Sequence, residues 1–173
     1  MTDRVKLGIS SCLLGNKVRY DGGGKLDLYL RDDFGRFVEW VPLCPEVEMG
    51  LTVPREPMQL KGDAAFPRLV TENTAIDHTD AMLQWVEKKL KMLSRMNIRG
   101  FVFKSRSPSC GIRDLPVYSP SGIVSEQGAG IFALEFMKRF PLLPVEDETS
   151  LADATVRDIF IARILEAIHG DHT

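Results

Sequence analysis

Short apolar runs alternate with longer amphipathic stretches along this chain. VKLGISSC (5–12) is a brief apolar run that gives way to polar, glycine-rich sequence, which predicts a buried strand. FVEWVPLC (37–44) predicts a second strand, ended by Pro45. IRGFVFKS (98–105) predicts a third, and LLPVED a short fourth. Between the first two, LDLYLRDDFGRF sets Leu26, Tyr29, Leu30 and Phe34 on one face at helical spacing, with RDDFGR as its solvated face. The clearest helix is 79–97: Thr79 or Asp80 caps it, and Met82, Trp85, Val86, Leu90 and Leu93 form an apolar stripe. Residues 128–141 read as a glycine-started helix stopped by Pro141, and 153–170 as a terminal helix with Asp153 as cap and Gly170 as stop. Residues 45–70, rich in proline and turns, read as an ordered loop with short extended pieces, long enough to suggest function.

This alternation predicts an α/β fold: a Rossmann-like, three-layer arrangement around a mostly parallel central sheet. The length, 173 residues, fits a single domain over 1–173. Composition changes the picture in three places. The net charge of -2 leaves no basic footprint, which argues against DNA binding and against a large polyanion such as tRNA, but not against a small anion. Asp3 and Arg4 precede only a short apolar run, and no stretch is apolar for the roughly 20 residues a membrane span needs. The expected location is therefore the cytoplasm, where thiols stay reduced; three cysteines, an odd count, also fit a disulfide framework poorly.

Those cysteines, Cys12, Cys44 and Cys110, each fall at or just beyond the C-terminal end of a predicted strand. Ligands of open α/β sheets bind in the crevice beyond those ends. Three thiols distant in sequence could thus meet at one sheet edge. Four readings remain open. They are unrelated buried cysteines; or a zinc site, though no C-x-x-C pair exists and His78, His169 and His172 lie in a loop and near the terminus; or a nucleophilic cysteine, which needs a base; or an iron–sulfur cluster, where three thiolates leave one iron without a protein ligand. The surroundings favour the last. Glycines and prolines let backbone amides approach, and Ser105, Ser107 and Ser109 supply hydroxyls. Asp21, Glu46 and Glu48 place carboxylates near two cysteines. Glu48 reads as a solvated or capping group; Glu46, two residues after Cys44, reads as a general-base candidate.

The segments SSCLLGNKVRYDGG, PLCPEVEMGLTVPR and FKSRSPSCG, in that order, resemble the three signature segments of the thiouracil desulfurase family (TudS). The resemblance runs over residues 5–145, and FALEFMKRFPLLPVEDE is similar to a later part of the family's single-domain form. It implies a 4Fe-4S cluster on Cys12, Cys44 and Cys110 with one open iron. It further implies non-redox removal of sulfur from thiolated uracil, giving uracil and hydrogen sulfide. The implied substrates are 2-thiouracil, 4-thiouracil or 4-thiouridine monophosphate. On that reading Glu46 serves as the base that activates water, Ser105 and Ser107 orient substrate or donate a proton, and Asp21 is a weaker candidate for proton transfer. RYDGGGK adds a possible phosphate site of glycine amides with Arg19 or Lys25. The alternative from another class is a non-catalytic iron–sulfur or metal sensor, which needs only the ligands.

Overall fold

In the computed structural model, which describes residues 4–169, β1 (Val5–Ser10) runs into a 3-10 turn at Ser11–Leu14 and is followed by β2 (Val38–Leu43). A one-turn helix α1 (Pro45–Glu48) leads to β3 (Met58–Gly62), β4 (Pro67–Thr71) and the long helix α2 (Thr79–Met96). Then come β5 (Phe101–Phe103), β6 (Leu115–Ser119), β7 (Gly122–Gly128), α3 (Ile131–Arg139), β8 (Val145–Asp147) and α4 (Ala154–His169). The central sheet has the order β2-β1-β5-β8, and every neighbouring pair is parallel. A second sheet, β4-β3-β6-β7, is mixed: its two hairpins are antiparallel and join through a parallel β3–β6 pair.

The central sheet is covered on both faces, as the brief apolar runs predict. Leu7, Ile9 and Val102 pack on one side with Leu30, Phe34 and the α4 residues Phe160 and Ile164. On the other side Val41, Leu43, Phe101 and Phe103 meet Met82, Val86 and Leu90 of α2 and Phe132 and Phe136 of α3. Leu60, Leu69 and Val117 of the second sheet join that same core. The result is the Rossmann-like three-layer arrangement, with an added sheet. Gly8 is required by this packing. A Cβ there would lie 2.1 Å from the Phe101 ring, which stacks on Phe103 with centroids 4.0 Å apart.

Four expectations change in detail. The third strand shortens to three residues. The amphipathic stretch after β1 forms a π turn at Tyr29–Asp33 and a 3-10 turn at Phe34–Arg36. It still buries Leu30 and Phe34, but Asp27 Oδ1 accepts the Leu30 amide at 3.0 Å and the Trp40 indole N–H donates to the Leu30 carbonyl at 3.1 Å. Side chains thus compete for the groups a regular helix would pair. At the start of α2, Thr79 faces inward and accepts the Leu69 amide at 2.9 Å, while Asp77 Oδ1 accepts the Thr79 amide at 2.9 Å. Residues 45–70 are partly strand, since β3 and most of β4 lie there. Asp153 caps α4 as expected, accepting the amides of Thr155 and Val156. Gly170 and His172 lie outside the described residues. Among the described residues, no helix is long and apolar enough to cross a membrane.

Candidate active site

All three cysteines leave the C-terminal edge of the central sheet and line one cavity of about 460 Å³. Cys12 sits in the 3-10 turn after β1, its carbonyl accepting the amides of Gly15 (3.1 Å) and Lys25 (2.9 Å). Cys44 follows β2 directly and precedes the first turn of α1. Cys110 lies in the loop after β5, and α3 holds that loop. The amides of Gly130, Ile131 and Ala133 donate to the carbonyls of Gly111, Pro108 and Ser109 at 2.7, 3.2 and 3.1 Å. A Cβ at Gly130 would come within 2.4 Å of the Ser109 carbonyl carbon, so only glycine lets helix and loop approach. Ser107 shapes the turn from inside: its Oγ accepts the Cys110 amide at 3.1 Å and the Ser109 amide at 3.3 Å.

The thiols are free. Burial pushes Cys12 up to about 11, against the pull of the Lys104 ammonium. Burial also raises Cys44, and burial followed by the Glu46 carboxylate raises Cys110. Binding a metal or cluster here must therefore release protons. Among the described residues, no three Cys, His, Asp or Glu side chains close into a group that would hold a single ion. Thiolates on a four-iron cluster each bind a different iron and stand further apart. Three soft sulfur donors from three separate loops, facing one cavity, fit such a cluster.

The carboxylates divide. Glu46 lines the cavity and is gripped at both oxygens. Oε2 accepts Arg55 Nη2 at 2.5 Å, and Oε1 accepts the Ser109 hydroxyl at 2.6 Å. With its proton engaged there, Ser109 takes the Ser107 hydroxyl proton across 3.1 Å, so Ser107, Ser109 and Glu46 form one chain. Arg55 is itself fixed by the carbonyls of Val18 (3.0 Å) and Thr52 (3.3 Å). Glu48 accepts the Cys44 amide at 3.3 Å and pairs with Lys89 at 2.5 Å, the capping role expected of it. Asp21 is not brought to the cavity. It is exposed and accepts the Gly23 amide at 2.9 Å; that bond, with Arg19 nearby, holds its carboxyl below the usual range.

Ser105 lines the cavity, but its hydroxyl is engaged elsewhere. It donates to Glu148 at 2.7 Å and accepts from Lys104 and Thr149 at 3.0 Å each. Two of the three glycine amides expected at a phosphate site are engaged within their own loop. The Gly22 amide donates to the Arg19 carbonyl at 3.0 Å, the Gly23 amide to Asp21 Oδ1 at 2.9 Å, and the Lys25 amide to the Cys12 carbonyl at 2.9 Å. The Arg19 and Lys25 side-chain positions do line the cavity, with Arg106. Among the described residues no histidine lines it; His78 sits at the start of α2, and the His169 side chain is not described. Sequence reasoning missed Arg55, Lys104 and Glu148. The first two lie inside the quoted cysteine segments, where their residue type was the only signal. Glu148 has no cysteine near it in sequence.

Fold and site together define a Rossmann-like α/β protein with a thiol-lined cavity at the C-terminal edge of its parallel sheet. The profile of the 2-thiouracil desulfurase family matches residues 7–148, and the chain belongs to that family. It is similar to a solved structure described as the [4Fe-4S]-dependent thiouracil desulfidase TudS, with a TM-score of 0.68 and 28% identity over 89% of this chain and 97% of that one. It is also 29% identical over 108 residues to the uncharacterized protein YbbK of Bacillus subtilis (strain 168), which spans 60% of this chain and 71% of YbbK.

Proposed function

We propose that this chain hydrolyses the carbon–sulfur bond of thiolated uracil without net redox change, releasing a uracil species and hydrogen sulfide. The observation that carries the reading is the meeting of Cys12, Cys44 and Cys110 in one cavity with a carboxylate, Glu46, already held by Arg55 and Ser109. The three thiolates hold a 4Fe-4S cluster. Bound there, the cluster supplies a soft, Lewis-acidic iron with a free coordination position. Glu46 accepts the proton of the attacking water as oxygen bonds to the thiocarbonyl carbon and the carbon–sulfur bond breaks. Both water protons end on the departing sulfide, and no electrons are exchanged. Arg55 and Ser109 fix the carboxylate so that no reorientation precedes this step. Of the two serines expected to orient substrate or donate a proton, Ser107 reaches Glu46 through Ser109, whereas the Ser105 hydroxyl is engaged with Glu148.

The occupant is a small thiolated pyrimidine. Arg19, Lys25 and Arg106 at the cavity favour a nucleotide such as 4-thiouridine monophosphate over the free base. Equal efficiency with 4-thiouracil and its nucleoside monophosphate would count against that preference. A sensor would need the thiols but not the held carboxylate and serine chain. Free thiols suit a reducing compartment, consistent with the cytoplasm.

The first test is anaerobic purification with iron and acid-labile sulfide counted per chain. About four of each, falling sharply in Cys110→Ala, is expected. Thiouracil then yields uracil and sulfide in equal amounts. A chain that stays free of iron after reconstitution overturns the reading.

A further inference from the structure

Lys104 and Glu148 form an ion pair that the proposed chemistry does not use. Both side chains are only 14% exposed. Lys104 follows β5, and its amide donates to Ser10 Oγ at 2.9 Å, on the last residue of β1. Its ammonium donates to Glu148 Oε1, to the Ser105 carbonyl at 2.9 Å and to Ser105 Oγ at 3.0 Å. An ammonium has three donors, so none is left for a substrate. Glu148 in turn takes the Ser105 amide at 2.8 Å and its hydroxyl at 2.7 Å. Burial alone would raise the Glu148 carboxyl, but the hydrogen bonds from Lys104 and Ser105 outweigh it and hold it below its usual range.

The pair has a direction. Lys104 lines the cavity with the three cysteines, and Glu148 does not. Glu46 and Arg55, by contrast, both line it. We infer that the Lys104–Glu148 pair is a charge-setting device for the thiol cradle, in which Glu148 holds a cation at the cavity wall and partly offsets its field. The inference rests on the reading that the thiols hold a cluster. Three thiolates leave such a cluster with net negative charge, and charges nearby tune its reduction potential. The Lys104 ammonium at the wall of the cavity that the three cysteines line makes the site more favourable to negative charge.

The test is the midpoint potential of the cluster in anaerobically prepared holoenzyme, followed by EPR during a dye-mediated titration. Lys104→Met, which removes the cation, lowers the potential. Glu148→Gln, which removes the offsetting anion, raises it. Lys104→Arg leaves it close to wild type. A structural lesion would not give shifts of opposite sign, so a shift in one direction for both, or none, overturns the inference. If Lys104→Met does not load, Glu148→Gln decides: a potential no higher than wild type overturns it. Failure of both to load, while Lys104→Arg loads, also overturns it, because the pair is then a requirement of assembly. Wild-type protein without iron instead defeats the functional reading itself, so the two failures are distinguishable.

Discussion

Glu46 and Glu148 grip the Cys110 loop from two sides, and they do so in different ways. Glu46 lines the cavity that the three cysteines share, its carboxylate held by Arg55 and Ser109. Glu148 stands behind the cavity wall and takes the backbone and side chain of Ser105 together with Lys104. The first arrangement prepares a carboxylate to meet a substrate. The second closes on itself and leaves no group free. Two part-buried carboxylates that hold one loop, from α1 and from the end of β8, thus differ in function because of what stands on their far side.

Removing each charge with little change in shape separates the two carboxylates. Glu46→Gln is expected to lower kcat/KM by about 10²- to 10⁴-fold, the range for loss of a general base. Iron content should stay at the wild-type level, since Glu46 binds no cysteine backbone. Full activity with a full cluster would remove Glu46 from the mechanism and erase the distinction.

Glu148→Gln is expected to leave kcat within a few-fold but to lower unfolding stability near neutral pH by about 2 kcal/mol, the scale of hydrogen bonds to a charged group. The pH dependence fixes the cause. The Glu148 carboxyl is held below its ordinary value of 4.5 in the folded chain. Its contribution is therefore complete above that value and is lost as pH falls through the lower folded value. Urea midpoints of wild type and variant should diverge at neutral pH and converge in acid. A gap that persists unchanged into acid would mean the loss is of shape and not of charge.

How much of this was legible follows the same division. The cysteines could be placed because each follows a short apolar run and sits among glycine, proline or serine, and Glu46 because it lies two residues past Cys44. Glu148 could not, because Lys104 is 44 positions away and meets it only through strand register. β5 and β8 pair with Phe103 opposite Asp147, which brings the next residue of each strand side by side. Nothing local encodes that register. The second sheet was obscured differently. β7 is exposed along most of its length and lacks the alternation that marks a half-buried strand, while β6 carries Pro116, a residue that argues against a strand inside a sheet. At 29–36 the spacing identified the buried face through Leu30 and Phe34, but the helix type depends on contacts from Asp27 and Trp40. Asp21 had the right residue type near a cysteine segment, yet Gly22 and Gly23 turn the chain so that it caps its own loop.

The smallest effects separate the two sides most finely, through two serines two residues apart. Ser107→Ala removes the acceptor of the Cys110 and Ser109 amides and the donor to Ser109, so it acts on the loop beside Glu46. A cost of about 1 kcal/mol is expected, with a measurable fall in kcat, because the hydroxyl that orients Glu46 loses its own support. Ser105→Ala removes one hydroxyl from a carboxylate that keeps the Ser105 amide and Lys104. About half that cost is expected, with kcat unchanged. Both variants retain the same backbone, so the kcat ratio between them reads hydroxyl function on the two sides of the loop. If Ser105→Ala slows turnover as much as Ser107→Ala, the ion-paired side also contacts substrate, and the division between a working carboxylate and a closed one is wrong.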